Sequence, residues 1–177
     1  IYAISYNIYI LFQKWLCSQS YKDRFPNMKT INSDIVNIKS GINVLIYKPV
    51  NIYDCILGDN VFIGPFVEIQ RGAKIGNNTR IQSHTFICED VVIGNDCFIG
   101  HNVTFANDLF KNGSPCGDKS TWLRIEIGNN VSIGSGAVVL TEKICSGVVI
   151  GAGSVVTKPI LTVGVYAGNP ARLIRKL

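Results

Sequence analysis

Charge is scarce in this chain. Only 16% of its residues are charged, against 47% hydrophobic, a balance that excludes a disordered polyelectrolyte. Runs of basic residues are missing too. The formal net charge is a mild +5, with neither a cationic cluster nor the interleaved aromatics of a nucleic-acid face. Scattered cations suit a phosphorylated small ligand instead. Histidine is limited to His84 and His101, one short of a three-histidine zinc site, which excludes a centre of that kind. Cys17, Cys55, Cys88, Cys97, Cys116 and Cys145 form no CxxC pair and no finger-like spacing, which reads as six reduced thiols in a cytoplasmic protein.

A membrane-spanning run is lacking as well. The apolar stretch Ile1 to Cys17 is broken by Ser5, Asn7, Gln13 and Lys14, too short and too polar to cross a bilayer. It has neither the basic start nor the small-residue cleavage site of a signal peptide. Residues 1–27 therefore read as an extension outside the patterned domain of residues 28–177, with Met28 at its head. Removing them is expected to leave fold and activity nearly unchanged. The 177 residues suit one domain able to bury a real core.

What the sequence has in abundance is one spacing. Leu57, Ile63, Ile69, Ile75, Ile81, Ile87, Ile93, Ile99 and Phe105 lie six apart without a slip. Two places before each stands Cys55, Val61, Val67, Ala73, Thr79, Thr85, Val91, Cys97 or Val103, mostly small or β-branched residues that suit strands. After the large residue come Gly, Asn and Asp, as in "GDN", "GNN" and "GND", which tolerate left-handed backbone and make corners. A period of six sweeps apolar residues around a helix and serves none of its faces. A short strand with a corner every six residues closes a triangle after 18. Stacked triangles pair their backbones about 4.8 Å apart, and the large residues form one internal column. The expected fold is an all-β solenoid of parallel strands.

The pattern stops at "LFKNGSPCGDKSTWLR", residues 109–124, and resumes at "IEIGNNVSIG". A polar segment of that length projecting from a rigid scaffold suits function. Between Val139 and Ile144 the spacing falls to five, so one corner should be tighter. The tail breaks the period, and Pro170 is expected to open a short helix capping the open end over residues 160–177.

These residues resemble the hexapeptide-repeat acyltransferases, whose fold is a left-handed parallel β-helix. "VVIGAGSVVTKPI" with "GVYAGNPARLIRK" is similar to the C-terminal signature of the acetyl-CoA users. "IQSHTFICEDVVIGNDCFIGHNVTFANDLF" is similar to N-acetyltransferases of nucleotide-linked amino sugars, especially dTDP-3-amino-3,6-dideoxyhexoses, which serve surface polysaccharide or glycan synthesis. The resemblance implies the left hand of the coil and a homotrimer with sites in the clefts between prisms. It also implies acetyl-CoA as acyl donor without a metal. Lys158 and Arg172 are then candidates to meet the cofactor phosphates, and Gly134, Ala152 and Ala167 to border its pantetheine arm.

Transfer to an amine needs the amine neutral and aimed, and the oxyanion stabilised. Counting by 18 stacks Arg71, Glu89 and Asn107 on one edge, Ser83 with His101 on another edge, and His84 beside Asn102. Glu89 and Asn107 are read as gripping the amine, with Arg71 and Asp108 binding substrate. Trp122 either stacks on a base or packs against a neighbouring subunit. His84 and His101 are retained as catalytic candidates. Their weight depends on the acceptor, since a hydroxyl must lose a proton to a base and an amine needs less help. The rival readings are an O-acetyltransferase of a sugar or serine and a non-catalytic scaffold. A ladder of solvated polar residues is the bland alternative for the corners.

Overall fold

The computed structural model describes residues 34–177; the reading of residues 1–27 lies outside them. Very short strands, most of them two residues long, form three sheets. Sheet A holds seven strands from Ile35–Val36 to Val155–Val156. Sheet B holds six, from Lys39–Ser40 to Lys143–Ile144. Sheet C holds eight, from Leu45–Ile46 to Arg172–Arg175. The chain visits A, B and C in turn and pairs every third strand in parallel, as Ile69↔Ile87, Ile75↔Ile93 and Ile81↔Ile99. Each coil thus hydrogen-bonds to the coils on either side, which satisfies the backbone without long strands. This is the parallel β-helix that the six-residue period called for, and the left-handed one that the resemblance implied.

The core is the predicted double column. All nine large residues of the run from Leu57 to Phe105 are buried, and so are all nine smaller ones from Cys55 to Val103. Burying one such aliphatic side chain contributes about 1.5–3 kcal/mol. Thr79 and Thr85 fit inside because their hydroxyls donate to the carbonyls of Gly94 and Gly100, each at 2.9 Å. The five-residue step is accommodated at Thr141, which turns inward and is buried.

Across the loop the register is kept. Val92 pairs with Lys74 on one side and Glu126 on the other; the second partner is 34 rather than 18 positions away, the difference being residues 109–124. The loop is thus an insertion in a single coil, at the corner between sheets A and B.

The C-terminal helix is not formed. Val165–Ala167 instead adds to sheet C beside Val149–Ile150 and turns back through Arg172–Arg175 as an antiparallel pair. The last coil exposes unpaired backbone, and an extended chain can satisfy it where a helix cannot. Val155 donates to the Gly168 carbonyl at 2.9 Å and Ala171 donates to the Val155 carbonyl at 2.8 Å. Among the described residues no helix is long and apolar enough to cross a membrane.

Candidate functional site

The three corners of the prism are chemically unequal. At the corner after sheet B, side chains serve the scaffold. The Asp59, Asn77 and Asn95 backbone N–H groups donate to the side-chain oxygens of Asn77, Asn95 and Asn129, each at 2.8 Å. Alongside runs a second ladder, Asn43 to Asn60 to Asn78 to Asp96. Asn60, Asn78, Asp96 and Asn130 hold φ between 54° and 57°, a left-handed bend that Asn and Asp accept better than other side chains. Here the bland reading of polar corners is right.

The corner after sheet A differs. The register of that sheet stacks Asp54, Arg71, Glu89, Asn107, Thr141 and Lys158 in one column. Glu89 and Asn107 line a single cleft of about 330 Å³, closed on its outer side by Lys119, Trp122 and Arg124 of the inserted loop. Glu89 is half-buried and its two carboxylate oxygens accept from Lys119 Nζ at 2.8 and 2.6 Å. Arg71 occupies the expected corner but turns away: its Nε donates to Asp54 Oδ2 at 3.2 Å. That pair and the Asn37 amide hold the Asp54 carboxyl below its ordinary range, the Asn37 hydrogen bond being the larger cause. On the adjoining face, burial and then the charges of Glu68 and Glu89 push the Tyr53 phenol up.

The loop is internally braced. Asp108 accepts backbone N–H groups of Phe110 at 2.9 Å and Cys116 at 2.7 Å. Its carboxylate therefore shapes the loop, and it borders a second cleft of about 500 Å³ that shares Asn107. A short 3₁₀ turn, Lys119–Thr121, is capped by Asp118, whose side chain accepts from Ser120 N at 2.9 Å. Trp122 donates its indole N–H to the Cys116 carbonyl at 3.0 Å. Leu123 N–H donates to the Asn107 carbonyl at 2.9 Å, so the returning strand of the loop is fastened to a residue of the cleft. Leu123 also packs against the buried cluster that contains Cys88. Burial there drives the Cys88 thiol up to about 12.

The corner after sheet C carries the histidines. His101 Nδ1 lies 2.8 Å from Ser83 Oγ, and the His101 N–H donates to Ser135 Oγ at 3.2 Å. His84 is exposed and stacks on Phe66 with ring centroids 4.8 Å apart and 17° between planes. Gly134, Ala152 and Ala167 follow farther along this same edge. A Cβ on Gly134 would lie 2.4 Å from Ala152 N, so glycine there lets neighbouring coils close up. Arg172 pairs in register with Ala167 and is exposed. Lys158 is exposed at the far end of the other corner, on the Glu89 column.

The fold thus joins Glu89, Asn107 and Trp122 in one cleft and sets Asp108 next to it. It groups His84, His101, Gly134, Ala152, Ala167 and Arg172 on a different edge, with sheet A between. His84 and Glu89 are five residues apart, a span of up to ~17 Å. Reading by period missed Lys119, because the loop has no register to count in. It also missed Phe66 and Ser135. Extending the His101 corner across the insertion would have found Ser135.

Comparison with known proteins agrees with this architecture. The bacterial transferase hexapeptide family, of six repeats, matches residues 54–89 and 72–107, and the hexapeptide repeat of succinyl-transferase matches 124–158. The bifunctional protein GlmU of Thermodesulfovibrio yellowstonii is 34% identical over 100 residues, which are 56% of this chain and 22% of that protein. An acyl-[acyl-carrier-protein]–UDP-N-acetylglucosamine O-acyltransferase of a Psychrobacter species is 39% identical over 79 residues, 45% of this chain and 24% of that one. This chain therefore spans less than a quarter of the length of either curated relative. Among solved structures, a mutant of AntD, an N-acyltransferase from Bacillus cereus in complex with dTDP and coenzyme A, superposes with a TM-score of 0.70. It is 23% identical, with 78% of this chain and 83% of that chain covered, a likeness of fold. On its repeat, its coils and these matches, the chain belongs to the hexapeptide-repeat transferase family.

Proposed function

We propose that the protein transfers an acetyl group from acetyl-CoA to the amine of a nucleotide-linked amino-deoxysugar, as a cytoplasmic homotrimer serving surface polysaccharide or glycan synthesis. The observation that carries this reading is the cleft at the sheet A corner. There Glu89 and Asn107 stand on adjacent coils beneath the inserted loop. A carboxylate and an amide one coil apart can hold an amine from two sides and aim its lone pair. The lone pair attacks the thioester carbonyl carbon, a C–N bond forms and the C–S bond breaks. The coenzyme A thiolate leaves and takes up the proton that the nitrogen gives away. The Asn107 side-chain N–H₂ can donate to the acceptor or to the oxyanion.

The small-residue edge of Gly134, Ala152 and Ala167 offers the flat, close backbone that a pantetheine arm needs. It lies across sheet A from Glu89, on a different edge of the prism. A second copy laid alongside would bring that edge to the Glu89 corner of its neighbour and turn two shallow faces into a groove. Lys158 and Arg172 are exposed cations at the coil end, suited to cofactor phosphates. Trp122 has its indole N–H engaged by the loop, leaving the ring to meet a base or a neighbour. Two similarities support the substrate class: a curated relative acts on UDP-N-acetylglucosamine and a fold neighbour was solved with dTDP and coenzyme A. The first of these is an O-acyltransferase. Together with the His101–Ser83 contact it favours O-acylation as the second reading.

The test is an acetylation assay with acetyl-CoA and a panel of dTDP-linked amino sugars and their hydroxyl counterparts. Glu89→Ala and Asn107→Ala are expected to lower kcat on the amine on the order of 10²-fold. Lys39→Ala, on an exposed strand of the first coils, should not. Transfer to hydroxyls alone would replace this reading with O-acylation. Acceptance of neither, with no acetyl-CoA binding by calorimetry, would leave a scaffold.

A further inference from the structure

The Glu89 carboxylate already holds a primary ammonium, that of Lys119. We infer that Lys119 is a positioning residue that sets the charge of the acceptor site, so that an acceptor amine binds beside Glu89 as the neutral free base. The inference rests on the N-acetyl reading of the same cleft and adds the means by which the nucleophile becomes available.

Both Glu89 oxygens face Lys119 Nζ, at 2.8 and 2.6 Å. The lysine is delivered by a built loop. Its 3₁₀ turn is capped by Asp118, its chain returns through the Leu123 to Asn107 backbone bond, and its ammonium lies 5.2 Å over the Trp122 ring. The cleft contains two acids, Glu89 and Asp90, and two bases, Lys119 and Arg124. One coil away Arg71 is matched by Asp54. On the adjoining sheet A face stand Tyr53 and Glu68, the latter accepting from Gln70 Nε2 at 2.7 Å. The cleft is balanced with Lys119 in place and carries a net negative charge without it.

That balance decides the protonation state of a bound amine. A lone carboxylate would bind the ammonium form most tightly, and an ammonium has no lone pair to attack with. A fixed cation beside the carboxylate disfavours a second cation there. The Glu89 oxygens still have lone pairs with which to accept an N–H from a neutral amine. The transfer is unchanged: amine plus acetyl-CoA gives amide plus coenzyme A thiol. Lys119 alters only how much of the bound acceptor enters it as R–NH₂. For an ammonium, a neighbouring cation disfavours the charged form and lowers the pKa. Removing Lys119 is therefore expected to raise the bound amine's pKa and move the acidic limb of kcat to higher pH.

The experiment uses the full chain, dTDP-3-amino-3,6-dideoxyhexose and acetyl-CoA, with Lys119→Met, Lys119→Gln and Lys119→Arg. At saturating acceptor, Lys119→Met and Lys119→Gln are expected to lose roughly tenfold in kcat near pH 7 and to recover it about one pH unit higher. Lys119→Arg, which keeps the charge, is expected to keep the wild-type profile. Calorimetry of acceptor binding in buffers of different ionisation heat gives a readout free of turnover. Proton release on binding is expected for wild type and Lys119→Arg, and to shrink in Lys119→Met. Identical profiles and identical proton release in wild type and Lys119→Met would overturn the inference. A lower KM for Lys119→Met with an unmoved profile would also overturn it, showing that Lys119 only occludes the carboxylate. A wild-type enzyme that acetylates no amine is recognised before any variant is made, and that result removes the N-acetyl reading itself.

Discussion

His101 Nδ1 lies 2.8 Å from the hydroxyl oxygen of Ser83, one coil below it on the same corner. One ring nitrogen is thus engaged by the scaffold. The other nitrogen and the exposed ring are left for a substrate, a neighbouring copy or water. The Glu89 cleft lies on a different corner, so within one chain this histidine does not share a site with it.

The first prediction follows from that separation. If the acceptor is an amine, His101→Ala and Ser83→Ala should keep kcat within about tenfold of wild type, because general-base help is worth on the order of 10² or more where it is essential. Steady-state kinetics at saturating acceptor decide it. A loss beyond 10³-fold in His101→Ala with normal folding would make the histidine a base and favour a hydroxyl acceptor.

The second prediction concerns the column. Ile87 is fully buried between Ile69 below and the next coil above. Ile87→Ala should cost about 2–5 kcal/mol and lower Tm on the order of 10 °C. Ile87→Asp adds a charge with no partner, and because each coil is held only by its neighbours, the break should spread along the solenoid. Far-UV circular dichroism should show little folded protein. A cooperative melt near wild type for Ile87→Asp would mean that the inward direction of this position is wrong.

How much of this was legible in the sequence depended on whether a residue stood in register. The six-residue spacing gave the coil, the column and the inward Cys55 and Cys97. Counting by 18 carried Glu89 to Asn107 and Ser83 to His101. The count failed where the chain left the prism. Lys119 reaches Glu89 through a loop whose path is set by Asp108, Asp118 and Trp122 contacts, none of which has a period. Cys88, one place after Ile87, is buried as well, although the count assigned that place to the corner. The tail was misread for another reason. Pro170 is compatible with a helix start, but the demand of the last coil for backbone partners is a tertiary effect that local preference does not express.

The last prediction uses the thiols. Burial, the leading cause in each case, raises the Cys55 thiol to about 11 and the Cys88 thiol to about 12, and pushes Cys97 up as well. In the unfolded chain each titrates near the ordinary 8.5. Between the unfolded and folded values the folded state holds more protons, so ∂ΔG/∂pH for unfolding is negative. The stability from burying neutral thiols is fully present below about pH 8.5 and is lost as pH rises toward 11–12. The slope is about 1.4 kcal/mol per pH unit for each thiol still protonated only when folded. Urea midpoints measured from pH 8 to pH 10.5 should therefore fall, and should fall less in Cys88→Ala than in wild type. Alkylation of the native protein at pH 8, mapped by mass spectrometry, should label the half-exposed Cys116 and Cys145 and spare Cys55, Cys88 and Cys97 until denaturant is added. Rapid native-state labelling of Cys88 would show that its thiol is open to solvent in the folded protein and that the burial behind its raised pKa is wrong.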